Sequence, residues 1–156
     1  QAGVKIDKRT SGPIVNERME TNLPGVFGCG NVVHVHDLVD FVTEEGQRAG
    51  KNAALYVQNQ EKDQGSSQME IIAGLGVTYT VPQFFKTREV LESNQVMFRV
   101  DKVYKNMMIR VYDEENKMIK KKRRLHLAPG EMEKISFMRK DIDGATGNLT
   151  ITVEEV

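Results

Sequence analysis

The spacing of apolar positions changes along this chain, and the changes divide it in two. Near the start, Val4 and Ile6 alternate with polar residues, Ser11-Gly12-Pro13 makes a turn, and Ile14-Val15 resumes an extended segment. Gly25-Val26-Phe27 reads as a short buried strand entering a glycine turn. From about Leu38 the period becomes helical: Val39, Val42, Gly46, Ala49, Gly50, Ala53 and Val57 recur at three and four, on one face. The middle of that face is small, and each glycine costs a helix roughly 1 kcal/mol relative to alanine. A sheet, a second helix or a ligand is therefore expected to approach closely there.

A polar stretch from Gln58 to Gln68 has no apolar period and ends in glycine and serines, the grammar of a linker. Beyond it the period is mostly two. Val96, Phe98 and Val100 alternate with Met97, Arg99 and Asp101; Ile109 and Val111 with Met108, Arg110 and Tyr112; Leu149, Ile151 and Val153 with Thr150, Thr152 and Glu154. Turns are expected at Asp113-Glu114-Glu115-Asn116, Ala128-Pro129-Gly130-Glu131 and Asp143-Gly144. Strands of this kind predict an antiparallel β-sandwich with one wet face per sheet, immunoglobulin-like in the first instance, with a small barrel as the alternative. The expected organisation is mixed: an α/β segment over residues 1–62 and a sandwich over 68–156.

The 156 residues, 39% of them hydrophobic, suffice for one ordinary domain or two small ones. A formal net charge of zero gives no long-range attraction to nucleic acid. No apolar run approaches the roughly 18–20 residues of a membrane span, and no signal-peptide pattern opens the chain. It begins at Gln1, in mid-phrase, as a piece of a longer protein would. The single cysteine, Cys29, rules out an internal disulfide framework and fits a reducing cytoplasm. Asn148-Leu149-Thr150 matches a glycosylation sequon and is read as chance.

The stretch TNLPGVFGCGNVVHVHDLVDFVTEEGQRAGKNAALYV, residues 21–57, carries a family likeness. It resembles the C-terminal flavin segment of FAD-dependent pyridine nucleotide-disulfide oxidoreductases. That family's pattern runs Thr, then Pro-Gly-apolar-aromatic-small-small-Gly-Asp, then a helix with small residues. Thr21, Pro24, Gly25, Val26, Phe27, Gly28, Cys29 and Gly30 fit it in order, and the likeness extends over about residues 1–60. Where the family has aspartate bonded to a ribityl hydroxyl of FAD, this chain has Asn31, whose amide can also make that bond. The resemblance implies that Gly30 lets the backbone approach the cofactor, and that the N–H groups of Asp40, Phe41 and Val42 face the flavin N1–C2=O edge. A helix N-terminus there would stabilise the negative charge of reduced flavin. In the intact enzyme, hydride would pass from NADH or NADPH to FAD, and electrons onward to a disulfide or another acceptor.

Other parts of that family are missing from the sequence. There is no strand followed by GxGxxG for the FAD pyrophosphate or for NAD(P), and no redox cysteine pair. Gly74-Leu75-Gly76 has two glycines but precedes strand-like residues. The chain is expected to bind FAD poorly alone and to work with the remainder of the same oxidoreductase chain. The sandwich would dock an electron-transfer protein or cover the flavin. The alternative is a non-catalytic protein-binding sandwich beside a remnant; a weaker one is an oligomerisation piece.

Several residues carry rival readings. Cys29 is a reactive thiol or a packing residue, and packing is preferred. His34 and His36 share a face of an extended segment; a metal would need further ligands, so they read as a polar loop beside the cofactor, able at most to relay protons. Asp37, Asp40, Glu44 and Glu45 are expected to cap the helix and complement its dipole rather than act in catalysis. The run Lys120-Lys121-Lys122-Arg123-Arg124 reads as a guarded edge strand rather than an anion-binding surface. The methionines of the second half read as gap-filling core.

Overall fold

The computed structural model describes residues 2–58, 68–86 and 94–156. Apart from its two ends, the linker expected at Gln58–Gln68 lies outside the described residues. Eight strands follow one another after it: β1 (Met69–Ala73), β2 (Val77–Val81), β3 (Phe84–Phe85), β4 (Asn94–Val100), β5 (Tyr104–Tyr112), β6 (Met118–Leu127), β7 (Glu133–Phe137) and β8 (Leu149–Glu155). They form two open sheets, ordered β3-β1-β8-β5-β6 and β2-β4-β7. Two α-helices accompany them among the described residues: α1 (Val39–Val57), and a single turn, α2 (Arg139–Asp143), which the period-two reading did not anticipate. The architecture is mixed α/β and mostly strand.

Alternation explains the larger core. Ile109 and Val111 of β5, and Leu149, Ile151 and Val153 of β8, all point inward. They join Phe85, Val96, Phe98, Phe137 and others in one apolar cluster between the sheets. One pairing departs from the all-antiparallel expectation: β1 runs parallel to β8, with Ile71 opposite Leu149.

The three-stranded sheet also departs from the expected single wet face. Met97 is as buried as its inward neighbours Val96 and Phe98. Its cross-strand partner Val81 belongs to a second, smaller cluster with Val15, Met19, Val33 and Ala49. The N-terminal half therefore lies over the outer face of β2-β4-β7, making a third layer. Gln83 joins it to the body: its side-chain oxygen accepts from Val15 N–H at 2.9 Å, and its own N–H donates to the Val15 carbonyl at 3.1 Å.

The strands predicted near the start are reduced, among the described residues, to single bridges: Ile6 with Pro13, Asn16 with Phe84, and Glu20 with Phe27. Turns dominate here instead. Asn16 organises one by accepting from the Arg18 and Glu20 N–H groups. Gly12 has no alternative at its position, because a Cβ would run into the carbonyls of Val32 and Val33.

The basic run is an edge strand, as predicted: β6 ends its sheet. Its inward side chains have a specific task. Lys122 Nζ donates to the Lys134 carbonyl at 2.9 Å, Lys120 Nζ to the Ser136 carbonyl and to Asp141, and Arg124 pairs with Glu133 at 2.8 Å. These residues close the seam between β6 and the edge strand β7 of the facing sheet. Outward-facing Arg123 bonds Asn106.

Candidate functional site

The glycine turn ends in a 3-10 turn, Gly30–Val32, and the chain passes through His34 and His36 before α1 begins. Gly30 takes φ +68°, a left-handed conformation that glycine adopts most readily, and its N–H points to Glu45. That N–H donates to Glu45 Oε2 at 2.9 Å. The same carboxylate accepts from His34 Nε2 at 2.6 Å, through Oε1, and from His36 Nε2 at 3.0 Å, through Oε2. All three side chains are almost fully buried, with exposures of 0%, 1% and 2% for His34, His36 and Glu45. The imidazole centroids lie 4.3 Å apart, and Tyr79 of β2 sets its ring edge-on to His34 at 5.8 Å. Burial pushes the Glu45 carboxyl up, but the His34 bond, the two imidazoles and the Gly30 N–H together hold it below the ordinary glutamate value. The Nδ1 atoms of both histidines are buried with no hydrogen-bond partner.

This cluster overturns the capping expectation for the acids. The N-cap of α1 is Leu38, and no side chain caps it. Glu45 sits in the second turn, too far along to reach the end amides, and faces inward. Asp37 accepts from the Met132 N–H at 3.1 Å and pairs with Arg99, while Glu44 pairs with Lys134. Asp40 alone stays exposed in the first turn, where its charge still suits the helix dipole.

The residues assigned to a flavin lie around the same helix start. Asn31 is exposed, and its Oδ1 accepts from the His36 N–H at 3.2 Å. The Phe41 N–H reaches back to the Leu38 carbonyl at 3.2 Å, and the Phe41 ring lies 3.8 Å from Lys134 Nζ. Val42 is half-buried against Gly30. Around them is an apolar rim: Val32, Val35, Leu38 and Val39 are all exposed, Val39 by 80%. The close approach expected at Gly46 and Gly50 is not made by any described residue, since a Cβ on either would meet nothing within 4 Å. Cys29 packs half-buried against the smaller cluster, as a spacer would.

The β body reaches this site directly. Arg99 of β4 donates to the Val35 carbonyl at 3.0 Å and, through Nε, to the Tyr79 hydroxyl at 3.1 Å. His126 stands apart on β6. The union of His34, His36 and Glu45 was missed from sequence. A signal existed, because a glutamate one turn into a helix can face back onto the residues leading into it, but only once the helix start at Val39 is known. No family model, curated protein or solved structure matches this chain. No helix among the described residues is long and apolar enough to cross a membrane.

Proposed function

We propose that residues 2–58 are the flavin-facing end of an FAD-dependent oxidoreductase of the pyridine nucleotide-disulfide type, and that the β body braces that end. The observation that carries this reading is the start of α1. A helix N-terminus without a side-chain cap leaves amide donors for an outside acceptor, and here it is ringed by exposed Val32, Val35, Leu38 and Val39. Donors inside an apolar rim suit an aromatic ring with a polarised carbonyl edge. FAD would supply hydride and electron transfer; of the amides that the resemblance assigns, Asp40 has no intrahelical partner and would face the ring, whereas the Phe41 N–H is held by the Leu38 carbonyl and Val42 is the first donor of the helix ladder, and Gly30 and Asn31 would supply the turn. NAD or NADP would be held by the remainder of the same chain. The open face at Gly46 and Gly50 is where that remainder would pack closely.

For the β body, covering the site has more support than docking an electron-transfer protein. Arg99 and Lys134 reach from its outer sheet to Val35, Asp37, Phe41 and Glu44. Its two open sheets also leave an immunoglobulin-like sandwich as the working comparison.

The test is to express the longer reading frame and measure its flavin. Stoichiometric FAD is expected. Asp40→Pro, which removes one amide in a first turn that tolerates proline, is expected to make the flavin reduction potential more negative while FAD stays bound. A longer product without flavin, or an unchanged potential, overturns the reading.

A further inference from the structure

We propose that His34, His36 and Glu45 form a three-ligand site for a divalent transition metal of the zinc class. The donor atoms lie within 4.8 Å of one another and converge from two elements, the 34–36 segment and the second turn of α1. Zinc–nitrogen and zinc–oxygen bonds of about 2.0–2.2 Å in a tetrahedron separate neighbouring donors by roughly 3.4 Å. The Nε2–carboxylate distances here are 2.6 and 3.0 Å. The two histidine–carboxylate distances need lengthen by several tenths of an ångström, and any wider donor separation, at most 4.8 Å, must close toward the same value. Two imidazoles and one carboxylate select zinc, cobalt or nickel over calcium and magnesium, which want oxygen.

The proton balance is simplest for the neutral rings, and any imidazolium proton is released to solvent on binding. With both rings neutral, each Nε2–H donates to Glu45, and each Nδ1 carries a lone pair that no group engages. A metal needs the Nε2 lone pairs, so each proton moves to Nδ1 of the same ring. Nothing has to be displaced to make room for it. The Gly30 N–H keeps its bond to Glu45 Oε2 and fixes the carboxylate, as an outer partner of a metal ligand does. The two Nδ1–H groups gain no acceptor, and the Arg48 guanidinium lies near enough to Glu45 for their charges to interact. Affinity is therefore expected to fall about 10–100-fold below that of a fully supported site. Three protein ligands leave the fourth tetrahedral position to a water, and the bound ion ties the 34–36 segment to α1.

The test uses the untagged 156-residue chain with Co²⁺ and Zn²⁺ and no flavin, so it stands or falls apart from the oxidoreductase reading. Co²⁺ is expected to bind one to one with the visible absorption of a tetrahedral site, and Zn²⁺ to displace it. Nitrogen-15 spectra of the histidines are expected to show both rings switching to the Nδ1–H form. His36→Gln and Glu45→Gln, each first shown to be folded by circular dichroism, are expected to weaken binding at least 100-fold. If either variant is unfolded, the tautomer switch in the native chain decides alone. No saturable binding, binding that survives in a folded variant, or imidazoles that keep Nε2–H with metal present would overturn the site.

Discussion

The two halves of this molecule are held together by different physics. Among the described residues, the β body has a continuous core of seventeen buried apolar residues. The cluster beneath residues 2–58 has five, and one of these, Val81, is borrowed from β2. The smaller half makes up the difference with polar groups: Asn16, Glu20, Thr21, His34 and Glu45 are all buried there, against Thr80, Asp113 and Glu133 in the body. Apolar burial is additive and indifferent to direction, whereas a buried polar group depends on particular partners in particular directions. The first half is thus more specific and more breakable, and it carries the candidate site.

The strongest way to break the contrast is at its apolar end. Phe98→Ala empties a position between the sheets and is expected to cost about 3–5 kcal/mol, unfolding both halves together in a urea titration. A transition confined to one half would show that the body does not template the other. Next in size is Met19→Ala in the small cluster, expected to cost about 2–3 kcal/mol. It should strip hydrogen-exchange protection from residues 14–58 first and leave the β5–β8 pairing protected. Uniform loss of protection would mean that the two clusters act as one core.

An acid titration sharpens the comparison on the polar side of the body. The Asp113 carboxylate accepts N–H bonds from Glu115, Lys117 and Thr146. Burial pushes its pKa up, but those bonds outweigh it and hold the group below the ordinary aspartate value of 3.8. A depressed folded pKa contributes stability that is complete above the unfolded value and is lost as pH falls through the folded one. Stability of the native chain should therefore decline as pH drops below about 4. Asp113→Asn should be less stable at neutral pH and flatter with acid, and a parallel decline would exclude Asp113 as the source. The smallest effect is a gain. Gly46→Ala adds a methyl in open space on α1 and is expected to stabilise this chain by about 0.5–1 kcal/mol in thermal melts. Were the chain part of the longer oxidoreductase proposed above, the same change would cost stability there, because the proposed partner would pack against Gly46.

Much of the β body is legible in the sequence because its rule is local. Ile109 and Val111, or Leu149, Ile151 and Val153, declare a strand and its inner face by alternation alone. Met97, expected in the core as a methionine, sits on the outer phase of that alternation and is buried only by a layer from residues far away in the chain, while Met118 and Met138, read the same way, are exposed. The charge run at Lys120–Arg124 reads correctly as an edge, but its seam with β7 depends on which sheet comes to face it.

The sequence alone determined the periods: one long helix from about Leu38, strands of period two in the second half, and a glycine turn at Gly30. Those follow from steric and hydrophobic rules acting over a few neighbours. Only the tertiary structure decided what Glu45 does. It was expected to complement the helix dipole, yet the turn at Gly30 and the path through His34 and His36 deliver three donors to it in the interior. A buried carboxylate goes where hydrogen bonds can hold its charge, and which groups meet it is set by how separate elements converge.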